Sequence, residues 1–184
     1  MRADARRNYQ RLLTVAHKVF SEQGTGASLE EIARRAEVGI GTLYRHFPTR
    51  DDLLKALLNE RFRTLADRAA ELLVEEDAKQ ALADWLSHYT AGSATYRDLA
   101  GPVLITAREP GSALYDSCHA MTDAGVRLVT RAQERGDLRA DVDPMDVLAL
   151  AGAVAWVAER LPDDEQLPAR LVGIVMNGLS RDPV

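Results

Sequence analysis

The sequence predicts an all-α fold of about nine helices, with a small N-terminal head over residues 1–50 and a larger C-terminal body over residues 51–184. Three observations predict it. Sustained apolar/polar alternation is absent and aromatic residues are only 5% of the chain, so strand signals are missing. Apolar residues recur three and four apart almost throughout. Helix-start and helix-stop residues then divide that pattern into segments.

The first stripe is Leu12, Ala16, Val19 and Phe20, with Gly24 placed to end it. Ser28 stands three residues before Glu31, the spacing of a capping box, ahead of Leu29, Ile32, Ala33 and Ala36. Gly39 is expected to supply a tight turn with positive φ, and a short helix over Gly41–Phe47 is cut by Pro48. Thr49 with Asp52 gives a second, weaker capping signal. It opens a long amphipathic helix from Arg50 to about Val74, carrying Leu53, Leu54, Leu57, Leu58, Phe62 and Leu65. In the body, helices are expected over Ala78–Ala91, Thr95–Arg108 and Ser112–Arg135. Asp143-Pro144 starts another that ends before Pro162, and a last one covers Glu165–Leu179.

Composition bounds the function. The chain is 46% hydrophobic and 28% charged, the balance of a soluble globular protein. No apolar run reaches the roughly 18 residues that span a bilayer, and the first residues lack a signal-peptide core, so a cytoplasmic protein without membrane contact is expected. The single cysteine, Cys118, excludes an internal disulfide and any multi-cysteine metal site. The net charge of −5 is unevenly spread: residues 1–50 hold nine Lys/Arg against five Asp/Glu, and residues 51–184 hold fourteen against twenty-three. A basic head on an acidic body lets one end approach phosphate.

Residues 28–47 read SLEEIARRAEVGIGTLYRHF. Two short helices joined by a Gly-containing turn, with Ile32, Ala33, Val38 and Leu43 apolar, have the spacing of a helix-turn-helix. Its second helix enters the major groove of DNA, and here it presents Ile40, Gly41, Thr42, Tyr44, Arg45 and His46. Small residues at its start let the backbone approach DNA closely, and its N-terminal dipole favours a phosphate.

The run GTLYRHFPTRDDLL resembles the DNA-binding signature of the tetracycline-repressor (TetR) family, over about Asn8–Leu58. The resemblance implies phosphate contacts from Tyr44 and His46, with Thr42 touching backbone or a base edge. Ser28 caps the supporting helix and is placed to donate to phosphate as well. Arg50 stands where many members carry lysine, and Arg grips phosphate bidentately. Ile40 and Gly41 occupy positions where other members use polar base-readers, which leaves Arg45 and Thr42 as sources of sequence readout, Arg favouring guanine. Arg34 and Arg35 read as charges of a solvated face, and Arg6 and Arg7 as a candidate basic arm.

One head reads too few base pairs for useful specificity, so a homodimer on a palindromic double-stranded operator is expected. The last two helices suit its interface, through Leu148, Ala151, Gly152 and Ala155 on one and Leu171, Ile174 and Val175 on the other. Candidates for an effector pocket are Trp85, Tyr89, Tyr96, Leu99 and Tyr115, with Cys118, His119, Met121 and Trp156; apolar walls with a few polar tips suit a small apolar or amphipathic molecule. The family resemblance implies repression relieved by such an effector. Adjacent Cys118 and His119 diverge by about 100° on a helix and do not converge on one metal ion. No cofactor motif is present. With four histidines and neither a phosphate-binding Gly loop, H-E-x-x-H nor G-x-S-x-G, an enzyme is not expected. The alternative is a DNA-binding regulator without a ligand, whose body serves only dimerisation or a protein partner.

Overall fold

A computed structural model of the chain describes residues 2–91, 109–161 and 163–181. Among the described residues there are eight helices and no extended strand. In the head they are α1 (Arg2–Gln23), α2 (Leu29–Arg35) and α3 (Ile40–His46). The body holds α4 (Arg50–Leu72), α5 (Ala78–Thr90), α6 (Tyr115–Glu134), α7 (Pro144–Arg160) and α8 (Leu167–Leu179). The expected helix at Thr95–Arg108 lies outside the described residues. No helix among those described is long and apolar enough to cross a membrane.

Local chemistry accounts for most boundaries. Ser28 caps α2, its Oγ accepting from the Glu30 and Glu31 amides at 3.1 and 3.3 Å. The reciprocal half of that capping box does not form, because the Glu31 carboxylate is held by Arg34 and Arg35. At α4 the box is complete: Thr49 Oγ1 accepts from the Asp52 amide and Asp52 accepts from the Thr49 amide. The weaker of the two sequence signals thus makes the fuller cap. Asp77 and Asp143 cap α5 and α7 by a single bond each, their side chains accepting from the Gln80 and Met145 amides at 2.8 Å.

The turn before α3 differs from the expectation. Gly39 has an ordinary φ of −64° and is the N-cap of α3. The left-handed residue is Glu37, at φ 54°. Its amide bonds to Arg34 O while the Val38 amide reaches back to Ala33 O, so the residue that closes α2 takes the positive φ two places earlier than foreseen.

Phe20, Ile32, Leu43, Phe47 and Leu53 are all at most 2% exposed and form the centre of the head. The same core continues without a break into the body through α4. There α4 makes its most extensive contact with α6, and α5 packs against α4, α6, α7 and α8. An antiparallel bridge between Leu138 and Ser180, with the Arg139 amide donating to Leu179 O at 2.9 Å, ties the end of α8 to the α6–α7 loop.

Trp85 is the pivot of the body. It is fully buried, and its indole N–H donates to Leu65 O at 2.9 Å across the α4–α5 contact. Gly125 on α6 admits it: a Cβ there would stand 2.6 Å from Trp85 Cη2. The rigid ring cannot yield without moving a helix. Gly125→Ala is therefore expected to destabilise the protein by about 1–3 kcal/mol, read as a lower urea midpoint with an unchanged m-value; an unchanged midpoint would mean that α5 and α6 separate freely.

Candidate nucleic-acid interface

α3 has one inner and one outer face. Leu43 and Phe47, four residues apart, are 0% and 2% exposed. Their burial turns Ile40, Gly41, Tyr44 and Arg45 outward, with Tyr44 at 44% exposure. A tyrosine of this kind holds its hydroxyl in solvent, where it donates to an anion without strain. Arg45 lies along the same face, with Nη2 donating to Thr42 Oγ1 at 2.8 Å and Nε to Gly41 O at 3.2 Å. The two candidate base-readers thus brace one another on the surface of the helix. Thr42 and His46 are half-buried.

The half-burial of His46 has a cause that the sequence did not signal. Tyr9 of α1 packs edge-on to the His46 ring at 5.8 Å between centroids and against Phe47 at 5.1 Å. Shielding by this packing raises the Tyr9 phenol above its ordinary pKa; Glu60 adds to the rise and Arg63 opposes it. Tyr9 therefore anchors α1 to the end of α3 as a neutral ring.

Two expected phosphate contacts carry structural duties as well. The Ser28 hydroxyl donates to Glu30 Oε2 at 2.7 Å, so its hydrogen is already used inside the head. Arg50 Nη1 donates to the carbonyls of Thr25 and Ala27 at 2.7 and 2.5 Å, stapling the α1–α2 loop to the first turn of α4. Arg34 and Arg35 converge on Glu31, whose carboxyl is pushed down to about 2, first by the Arg34 hydrogen bond and then by Arg35. Arg35 also reaches Glu22 of α1 at 2.7 Å, so the pair braces α2 against α1.

The candidate effector residues do not share one environment. Trp85 and Met121 are core side chains. Tyr89 stacks on Trp85 at 5.4 Å and is half-buried. Tyr115 and Cys118 are half-buried and His119 is exposed, its Nδ1 2.9 Å from Asp123. Trp156 is 52% exposed on the outside of α7, its ring under the Arg160 guanidinium at 3.7 Å. Two members of the expected cluster thus sit at opposite extremes, one inside the core and one on the surface. Tyr96 and Leu99 lie outside the described residues.

The expected dimer residues also divide. Leu148, Ala151 and Ala155 face inward and are at most 9% exposed, so they belong to the protomer's own core. Gly152, Leu171 and Val175 are half-buried, and Ile174 is 66% exposed. The periodicity of α7 is as expected but its phase is opposite: the outward stripe is Met145, Ala149, Ala153 and Trp156.

A short helix with one face locked in the core and Tyr44 and Arg45 on the other, held by two supporting helices and a capped fourth, defines a helix-turn-helix protein. Residues 12–57 match the model of bacterial regulatory proteins of the tetR family, and residues 77–181 match that of the SbtR-like transcriptional regulator C-terminal domain. A TetR transcriptional regulator of Streptomyces coelicolor is 32% identical and superposes with a TM-score of 0.76 over 95% of this chain and 99% of its own. A TetR transcription regulatory protein of Mycobacterium vanbaalenii is 34% identical with a TM-score of 0.70, over 98% and 99% of the two chains. An HTH-type transcriptional regulator of Staphylococcus aureus is 48% identical over 54 residues, which is 29% of this chain and 29% of that protein's length. The chain belongs to the TetR family of transcriptional regulators, as the GTLYRHF run had implied.

Arg50→Met tests the stapling role. It leaves two loop carbonyls without their donor and is expected to cost about 1–3 kcal/mol in urea unfolding. A residue used only on phosphate would show no such loss.

Proposed function

We propose that the protein is a homodimeric repressor that binds a palindromic DNA operator through α3 and is released by a small-molecule effector bound in the body. The observation that carries the DNA-binding half is the outward stripe of Tyr44 and Arg45 on a helix whose other face is locked in the core. Tyr44 donates to a backbone phosphate and positions the head. Arg45, freed from Thr42, reads a base edge, and its guanidinium suits the two acceptors of guanine. Ile40 and Gly41 give the close, low-bulk approach that lets both side chains reach. The basic head and acidic body orient the encounter.

Dimerisation is supported by the apolar surface that α7 and α8 leave uncovered. Met145, Leu150, Trp156 and Ile174 are each between 47% and 66% exposed, more large apolar surface than two helices of a solvated monomer ordinarily present. Two such faces pair about a two-fold axis as a four-helix arrangement, which sets two α3 helices to face the same side of a duplex. Effector release is supported by family membership and by α4, which begins at the Arg50 staple beside the DNA-reading head and continues about 35 Å into the body. A ligand that prefers one tilt of α4 shifts the spacing of the two heads.

Binding to a panel of duplexes is the test. Tyr44→Ala is expected to weaken all of them by about tenfold. Arg45→Ala is expected to lose about 1–3 kcal/mol on the preferred duplex and less elsewhere, flattening the ranking. Equal losses on every sequence for both variants would remove Arg45 from the reading role. For the dimer, Ile174→Glu places a charge in each half of the interface and is expected to yield a folded monomer by sedimentation. A dimer of undiminished stability would put the interface elsewhere.

A further inference from the structure

Between α1 of the head and the α4–α5 pair of the body lies a groove of about 670 Å³. Four basic side chains from three helices border it: His17 from α1, Arg61 and Arg68 from α4, and His88 from α5. Among the described residues Glu60 is the one acidic residue in its lining. The floor is apolar, made by Leu13, Leu57 and Leu65, while Gln10, Thr14 and Thr64 add neutral polar groups at the sides. We infer that this groove binds a small organic carboxylate carrying an apolar tail, and that occupancy there acts on the orientation of the head. The inference rests on the DNA-binding function proposed above and adds to it the site and class of the effector.

Charge and shape both favour such a guest. A carboxylate meets two guanidinium groups and two imidazoles against one opposing carboxylate, and a short hydrocarbon tail covers the leucine floor. Arg61 is already fixed in place, its Nη2 donating to the Tyr89 carbonyl at 2.8 Å at the C-terminal end of α5. His88 donates from Nδ1 to the Asp84 carbonyl at 2.8 Å, which holds its ring at the border of the groove. Arg68 is half-buried and held only by a surface pair with Glu71, a bond weak enough to yield to a ligand. Because the lining comes from α1 on one side and α4 and α5 on the other, a guest favours one head orientation over others and so couples to DNA.

The groove also dictates a pH dependence. Partial desolvation at the edge of the groove, and then the charge of Arg61, hold His17 below the ordinary histidine pKa. A bound carboxylate reverses that pressure, so binding takes up a proton and strengthens as pH falls from about 7.5 to 6, where a carboxyl of pKa near 4–5 stays ionised. Glu60, Arg61, Arg68 and His88 are the other titratable or charged groups of the lining.

Octanoate is the probe, with 1-octanol as its neutral counterpart, titrated calorimetrically into the full chain. Octanoate is expected to bind more tightly than 1-octanol and to tighten toward pH 6. Arg68→Gln is expected to weaken it about fivefold. Exchanging His17 for Gln is expected to flatten the pH dependence. These are surface-accessible replacements that leave the Arg61 contacts intact, and a thermal melt of each variant confirms folding. No binding of octanoate, equal binding of 1-octanol, or binding indifferent to all these variants overturns the site. In parallel, duplex-DNA affinity is expected to change about fivefold with octanoate in the parent and not in Arg68→Gln; a bound but silent octanoate overturns the regulatory part. Failure of the parent to bind DNA without octanoate would instead defeat the proposed function, leaving the calorimetry to stand alone.

Discussion

Everything the head does follows from the one-sided burial of a seven-residue helix. Helix α3 is too short to be stable alone, since a nucleus of one turn is barely repaid by two. Leu43 and Phe47 hold it by inserting into the core made by α1, α2 and the start of α4. Because those two positions are the fully buried ones, the rotation of α3 about its axis is fixed, and with it the direction of Tyr44 and Arg45. The supporting contacts serve that single constraint. Tyr9 closes over the end of α3, the Glu31–Arg35–Glu22 bridge fixes α2 on α1, and Arg50 joins the α1–α2 loop to α4.

Helix α4 extends this constraint into the body. Its capping box and the Arg50 staple fix its first turn to the head, while its later turns bury Phe62, Leu65 and Ala69 among the body helices. With no break in the core between the two regions, a change of packing along α4 reaches the head without crossing a soft linker. The basic groove between α1, α4 and α5 lies beside the middle of α4, so a guest there touches helices of both the head and the body.

Much of this was legible in the sequence because capping and periodicity are local. The starts of α4 at Arg50 and of α7 at Pro144 follow from Thr49 and Asp143 acting as N-caps. The GTLYRHF run pointed to this helix through its resemblance to the family signature, and burial of Leu43 and Phe47 four residues apart turns Tyr44 and Arg45 outward. What depends on tertiary packing was not legible. Periodicity gives the spacing of a stripe and not its phase, so Leu148, Ala151 and Ala155 could be assigned to a partner when they belong to the protomer. Aromatic composition likewise does not separate Trp85, whose indole N–H finds the Leu65 carbonyl inside the core, from Trp156 on the surface. A glycine marks where positive φ is easy, yet Glu37 takes it because the end of α2 falls there. The groove residues His17, Arg61, Arg68 and His88 share no motif; only the docking of three helices collects them.

The account stands or falls on α3 being the surface that reads DNA as one of a symmetric pair. Selection of bound sequences from a random pool of duplexes measures this directly. The expected outcome is an inverted repeat whose half-sites lie one helical turn or a multiple of it apart, about 10 base pairs or its multiples from centre to centre. A pool that emerges unenriched at low ionic strength, or enriched in a single half-site without symmetry, would contradict it.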